Sequence, residues 1–185
     1  MIGRAKVKVL QREEEISWFV ALLVREGVRS YLEIGSKFGG SLERVAVALP
    51  VGSRVVSVDL PGGTKASQPH LEDTVTRLQA RGYNAHLILG DSTAPEIVAR
   101  AATLGPYDAC FIDANHLLPY VTKDFANYGP MARIVAFHDI AYVPKKTMPK
   151  EIEVPQFWNA IKGGYRFEEC KLDGPHNGIG VLWRS

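Results

Sequence analysis

YLEIGSKFGG at residues 31–40, followed by RVVSVD at residues 54–59, decides the fold of this chain. The pattern predicts a short apolar strand, a glycine-rich turn, a helix and a second apolar strand that ends on Asp59. Glycine adopts backbone angles closed to other residues and lets a ligand approach the main chain closely. A carboxylate at the end of the neighbouring strand is placed to accept hydrogen bonds from ribose hydroxyls. The stretch therefore predicts a nucleoside-binding site.

The composition is that of an ordinary globular protein. Of the 185 residues, 46% are apolar and 23% charged, with a formal net charge of +2 and two cysteines. These values favour a single domain over residues 1–185 in a reduced, cytoplasmic context. The small net charge argues against a nucleic-acid partner, and no apolar run is long enough to predict a membrane span.

Strands and helices alternate along the chain. Five strands are predicted to end near residues 34, 58, 89, 113 and 137. Because parallel strands need covering crossover helices, the alternation predicts an α/β fold with a doubly wound, mostly parallel sheet. Residues 165–172 and 179–183 predict a closing antiparallel hairpin, which brings the sheet to seven strands.

The predicted strand ends gather acidic and imidazole side chains. Ligands bind beyond the carboxyl ends of the strands in open parallel sheets. The residues near these ends include Glu33, Asp59, Asp91, Asp113, His116, His138 and Asp139. If the fourth and fifth strands are neighbours, they lie about 4.8 Å apart and their terminal side chains share one pocket.

This acid–imidazole group allows two chemical roles. His116 or His138, with a pKa near neutrality, could remove a proton from a substrate hydroxyl as the catalytic base. Alternatively, Asp113, Asp139 and His138 could bind a divalent cation such as Mg²⁺, which would lower the pKa of the hydroxyl. The residues leave both roles open.

The motifs resemble those of the class I S-adenosylmethionine-dependent methyltransferases, especially the branch that methylates hydroxyls of sugars and small natural products. The resemblance is carried by LEIGSKFGGS at 32–41, FIDANH at 111–116 and AFHDI at 136–140. It implies a Rossmann-like methyltransferase fold, in which the closing hairpin supplies the antiparallel seventh strand. Residues 29–185 would form this core, and residues 1–28 an N-terminal helical extension.

The resemblance also implies S-adenosylmethionine as the cofactor. Glu33 and the glycine loop would cradle its methionine part, Asp59 its ribose hydroxyls, and Asp91 with Ser92 its adenine. The full set of implied cofactor-binding residues is Glu33, Gly35, Ser36, Phe38, Gly39, Gly40, Ser41, Asp59, Leu60, Asp91, Ser92 and Asp113.

These observations favour methyl transfer to an oxygen of a small-molecule acceptor. A nicotinamide-dependent oxidoreductase uses a similar turn and acid, and a non-catalytic nucleoside-binding protein needs only the cofactor half, so both stay open as alternatives. Residues 61–70 and 141–156 are candidate lids over the acceptor. The N-terminal helix is equally suited to capping the sheet and to joining a homo-oligomer.

Overall fold

The computed structural model describes residues 9–62, 67–142, 152–172 and 178–184. Within these ranges the strands are β1 (Ser30–Ile34), β2 (Arg54–Asp59), β3 (Asn84–Leu89), β4 (Tyr107–Ile112), β5 (Ala132–His138), β6 (Arg166–Cys170) and β7 (Ile179–Trp183). The helices are α1 (Glu13–Arg25), α2 (Gly40–Ala46), α3 (Ser67–Ala80), α4 (Pro95–Thr103), α5 (Leu118–Tyr128) and α6 (Val154–Ile161).

The strands form one sheet in the order β3-β2-β1-β4-β5-β7-β6. Strands β1 to β5 are parallel, and β7 runs antiparallel to both β5 and β6. The predicted fold class is confirmed. Strand order reverses between β1 and β4, so the crevice for a ligand opens beyond the carboxyl ends of these two strands.

Two apolar layers cover the sheet. Helices α1, α2 and α3 pack on one face, and α4, α5 and α6 pack on the other. Helix α1 buries Ile16 and Phe19 completely in the first layer. Helix α1, which lies within the segment predicted as an N-terminal extension, is therefore packed into the core. No helix in the described part of the chain is long and apolar enough to cross a membrane.

The two predicted lids are only partly described. Residues 63–66 lie outside the described residues, and α3 already begins at Ser67, so the loop of the first lid is shorter than predicted. Of the second lid, residues 143–151 lie outside the described residues and α6 begins at Val154.

Gly180 determines how closely α6 approaches the antiparallel end of the sheet. A Cβ at this position would lie 2.6 Å from Cζ2 of Trp158, which is completely buried. We expect Gly180→Ala to lower the free energy of unfolding by about 1–3 kcal/mol because it overpacks the core. Urea denaturation measures this change.

Gly163→Ala is the matched control. A Cβ at Gly163 would meet nothing within 4 Å, so the free energy of unfolding should change by less than about 0.5 kcal/mol. Equal losses in the two variants would contradict the packing argument.

Candidate active site

Two adjoining clefts open beyond the carboxyl ends of β1, β2, β4 and β5. The first has a volume of about 690 Å³ and the second about 370 Å³. We call them the large cleft and the small cleft. The residues that line both are Gly35, Lys37, Asp113, Ala114 and His116. The clefts therefore meet at the ends of β1 and β4, where the strand order reverses.

The large cleft contains half of the predicted cofactor residues. It is lined by Gly35, Asp59, Leu60, Asp91, Ser92 and Asp113, together with apolar side chains such as Val58 and Leu117. Asp59 ends β2, and its Oδ2 accepts a hydrogen bond from the backbone N–H of Lys37 at 2.5 Å. Burial raises the pKa of Asp59, and backbone hydrogen bonds partly offset this effect.

Asp91 and Ser92 form a braced turn at one end of the large cleft. Asp91 Oδ1 accepts hydrogen bonds from the backbone N–H and the hydroxyl of Thr93, at 2.8 and 2.9 Å. The Ser92 hydroxyl donates to Asp124 Oδ1 at 2.7 Å, and the Tyr128 hydroxyl donates to the Ser92 carbonyl at the same distance. Helix α5 thus fixes the turn that the resemblance places beside adenine.

The small cleft combines apolar walls with a charged floor. Leu10, Phe38, Tyr142 and Ile152 contribute the apolar part of its lining. The predicted residues along this cleft are Gly35, Ser36, Phe38, Gly40, Ser41, Asp113, His116, His138 and Asp139. The structure therefore divides the predicted cofactor residues between two clefts.

Glu33 and Gly39 line neither cleft. The Glu33 carboxylate is completely buried, where it accepts hydrogen bonds from the hydroxyls of Tyr31 at 2.6 Å and Ser41 at 2.7 Å. Burial raises the pKa of Glu33 to about 7, although these hydroxyls lower it in part. Glu33 therefore links β1 to the first turn of α2 beneath the glycine turn. Its side chain does not line either cleft, where the resemblance implied that it would hold the methionine part of the cofactor.

Asp113 is the centre of the charged floor. Its Oδ1 lies 3.3 Å from His116 Nε2 and 3.4 Å from His138 Nδ1. Its Oδ2 accepts a hydrogen bond from Gln11 Nε2 at 2.7 Å. Burial alone would raise the pKa of Asp113, but the charges and hydrogen bonds of the two imidazoles hold it well below its usual range. Asp113 is therefore a carboxylate at neutral pH.

Both imidazoles are held between carboxylates. His116 Nδ1 lies 2.9 Å from Asp139 Oδ2, and His138 Nδ1 lies 3.3 Å from Asp139 Oδ1. Burial opposes their protonation, but the surrounding carboxylates outweigh it and raise the pKa of His116 to about 9 and that of His138 to about 10. The expectation of a pKa near neutrality is therefore wrong, because each imidazole faces at least two carboxylates.

A compact set of possible metal ligands lies on this floor. One ligand atom each from Asp113, His116 and Asp139 falls within 4.8 Å of the others. The predicted set contained His138 where the structure groups His116. Asp139 has a φ of 64°, which is strained for a residue with a side chain. Its Oδ1 is buried and forms no hydrogen bond with the described residues.

Two polar residues, one just before α1 and one within it, also contact the charged floor, and the sequence motifs did not predict them. Gln11 reaches Asp113, and Glu15 Oε2 lies 3.6 Å from His138 Nε2. Glu15 Oε1 also accepts a hydrogen bond from the backbone N–H of Gly178 at 2.8 Å. The sequence does carry one signal, since Glu15 is in helical phase with the buried Phe19 and a carboxylate on an apolar helix face needs a partner.

The imidazole pairs predict how stability depends on pH. Because the folded-state pKa values of His116 and His138 lie above the ordinary value of 6.5, their ion pairs contribute full stability below about pH 6.5. This contribution is lost as the pH rises through 9 and 10. We expect the free energy of unfolding, measured by urea denaturation, to fall between pH 7 and pH 9.5.

Two variants test whether the histidines of the site cause this pH dependence of the free energy of unfolding. His138→Gln should make the pH dependence clearly shallower, because one of the two raised imidazole pKa values is removed. His86→Gln, in β3 and outside both clefts, should leave it unchanged. A wild-type protein that is equally stable at both pH values would overturn the imidazolium assignment.

A family model for a methyltransferase domain matches residues 32–140, more than half of the chain. A search of curated protein sequences finds no match.

Solved structures share the fold over nearly the whole chain. A caffeoyl-CoA O-methyltransferase candidate from Staphylococcus aureus matches with a TM-score of 0.73 and 16% identity, covering 96% of this chain and 86% of the other. An O-methyltransferase from Bacillus cereus in complex with S-adenosylhomocysteine gives 0.70 and 17%, covering 98% and 84%. The O-methyltransferase TomG of tomaymycin synthesis from Streptomyces achromogenes, in complex with S-adenosylmethionine, gives 0.70 and 18%, covering 98% and 83%.

Proposed function

This chain belongs to the methyltransferase-domain family whose model matches residues 32–140, and we propose that it transfers the methyl group of S-adenosylmethionine to an oxygen of a small-molecule acceptor. The observation that carries the proposal is the pair of adjoining clefts, which share Asp113 and His116. Such a pair offers one compartment to the cofactor and one to the acceptor, with the charged floor between them.

The large cleft suits the cofactor. Asp59 presents a carboxylate to the ribose hydroxyls, and the braced Asp91–Ser92 turn lies at the position proposed for adenine. Gly35 has no room for a side chain, since a Cβ would lie 2.5 Å from the carbonyl oxygen of Asp113. The glycine turn is thus packed tightly against the end of β4 where the two clefts meet. The ionised Asp113 favours a cationic sulfonium at this junction.

The small cleft suits a compact acceptor. Its volume of about 370 Å³ and its walls of Leu10, Phe38 and Tyr142 fit a molecule with an apolar body. The polar floor would hold its hydroxyl beside Asp113 and His116. Positioning of this kind lets the acceptor oxygen approach in line with the sulfonium methyl group, which is the main contribution that the protein makes to the rate.

His116 is the better placed of the two proposed bases, because it lines both clefts whereas His138 lines only the small one. When bound, the cofactor supplies the methyl group and a positive charge that disfavours protonation of nearby imidazoles. The contact of His116 Nε2 with Asp113, at 3.3 Å, is longer than that of Nδ1 with Asp139 at 2.9 Å. We therefore propose that Nε2 takes the hydroxyl proton while Asp139 holds the ring through Nδ1.

The same floor supports a divalent cation as the alternative to His116 acting as the base. Asp113, Asp139 and His116 would hold it. His138, which the sequence analysis included in the ligand set, lies beside the two carboxylates. The buried Oδ1 of Asp139, which lacks a hydrogen bond among the described residues, fits this donor set. A bound Mg²⁺ would act as a Lewis acid that lowers the pKa of the acceptor hydroxyl.

Calorimetry with S-adenosylhomocysteine and NAD tests the cofactor. We expect binding of S-adenosylhomocysteine and none of NAD. Asp59→Ala should weaken the affinity for S-adenosylhomocysteine by roughly tenfold or more, because the ribose loses hydrogen bonds to a charged group. Asp73→Ala, an exposed position on α3, is the control and should bind as the wild type does. Binding of NAD alone would refute the proposal and favour the oxidoreductase alternative.

The cation is tested by titrating the metal-free protein with Mn²⁺ and recording the electron paramagnetic resonance of the free ion. We expect a saturable site in the wild type that is lost in Asp139→Asn, because a carboxylate ligand becomes a neutral amide. Asp73→Asn, outside the clefts, should bind Mn²⁺ as the wild type does. Retention of the site in Asp139→Asn would exclude this residue as a ligand.

A further inference from the structure

The glycine turn has few amides left for a ligand. Gly35 N–H donates to the Val58 carbonyl at 2.9 Å, and Gly39 N–H donates to the Ser36 carbonyl at 2.8 Å. The N–H of Lys37 donates to Asp59, as described above. Three amides of the turn are therefore already used within the protein.

The helix that follows the turn offers little compensation. Helix α2 has only seven residues, and its N-cap, Gly39, has no side chain with which to organise the first turn. A carboxylate bound at the junction of the clefts would thus meet few free backbone donors. A side-chain cation would offset this shortage of backbone donors.

Lys37 is placed to be that cation. Of the described residues that line the two clefts, Lys37 alone is a lysine or arginine, and it lines both clefts. Its ammonium lies 5.8 Å from the ring centroid of Phe38. Its charge offsets part of the rise in the pKa of Asp59, although it forms no salt bridge with any residue that the structure describes. His116 and His138 already face carboxylates, so among the described lining residues Lys37 is the cation best placed to meet an anionic ligand group.

The backbone of Lys37 adds an independent argument. Its φ is 51°, in the left-handed region that glycine occupies without strain and that other residues rarely adopt. A lysine at this position costs conformational free energy that glycine would not. Residues with a strained backbone are concentrated at active sites and ligand-binding sites.

We propose that the Lys37 ammonium binds the α-carboxylate of the cofactor, in place of the backbone amides of the glycine turn. This inference rests on the proposed function, because it takes S-adenosylmethionine and S-adenosylhomocysteine as the ligands of the large cleft. The cofactor is held at two ends by side chains of opposite charge, with Asp59 at the ribose and Lys37 at the amino-acid part. Lys37 is a binding residue and takes no part in the transfer itself.

Three ligands isolate the carboxylate. S-adenosylhomocysteine carries it, S-adenosyl-3-thiopropylamine lacks only the carboxylate, and 5′-methylthioadenosine lacks both the carboxylate and the amine. In calorimetry we expect the wild type to prefer S-adenosylhomocysteine over the thiopropylamine. Lys37→Met should weaken binding of S-adenosylhomocysteine roughly tenfold to a hundredfold, since a hydrogen bond between charged groups is lost. It should leave the affinities for the other two ligands unchanged.

Further variants separate the charge from the backbone. Lys37→Arg keeps the cation and should bind nearly as the wild type does. Lys37→Gly relaxes the backbone but removes the ammonium, so it should show the same selective loss as Lys37→Met. Arg81→Met removes an exposed positive charge just after α3, outside both clefts, and should leave all three affinities unchanged.

Two results would overturn the proposal. Wild-type affinity of Lys37→Met for S-adenosylhomocysteine would show that the ammonium does not meet this carboxylate, as expected if it met an anionic acceptor instead. An equal loss for all three ligands would show that the substitution only disturbs the turn. If the wild type bound none of the three ligands, the proposed function itself would fail, which is a different outcome.

Discussion

The buried carboxylate of Asp113 is the interaction on which both clefts depend. Its backbone N–H donates to the Ile34 carbonyl at 2.8 Å, so the end of β4 is tied to the end of β1. Its side chain accepts from Gln11 and contacts both imidazoles. Burying an ionised group costs free energy unless donors surround it. The turn at Gly35, the ends of β4 and β5 and the start of α1 are therefore held in one arrangement by the need to satisfy a single carboxylate.

Parallel topology explains why much of the site could be predicted. Residues that follow parallel strands must meet at one edge of the sheet, whatever their separation along the chain. This rule is enough to bring Asp59, Asp113 and His116 to one crevice, and the structure places them there. It cannot reveal Gln11 and Glu15, because their positions depend on how α1 crosses the sheet. That crossing is fixed by tertiary packing, of which the sequence shows only the buried face of the helix.

Glu33 shows that a position near the end of a strand does not by itself place a side chain in the cleft. Side chains alternate between the two faces of a strand, so Glu33 shares a face with Tyr31. That face lies beneath α1 and α2, and the carboxylate is buried there against the Tyr31 hydroxyl. Asp59, the last residue of β2, instead reaches the cleft. Alternation was readable in the sequence, whereas the raised pKa values of the two histidines were not, because they depend on how many carboxylates each imidazole meets.

The charges of the site bear on the direction of the proposed reaction. Glu15, Asp113 and Asp139 face the imidazoles of His116 and His138, so acidic side chains outnumber imidazoles on the floor by three to two. Methyl transfer from S-adenosylmethionine removes the positive charge of the sulfonium and leaves the hydroxyl proton as its replacement. A negative floor attracts the charged cofactor, has a weaker attraction for the neutral thioether product, and can hold the proton until it passes to solvent. In the proposed reaction, the same carboxylates that raise the pKa values of the imidazoles would thus favour the exchange of spent cofactor for fresh.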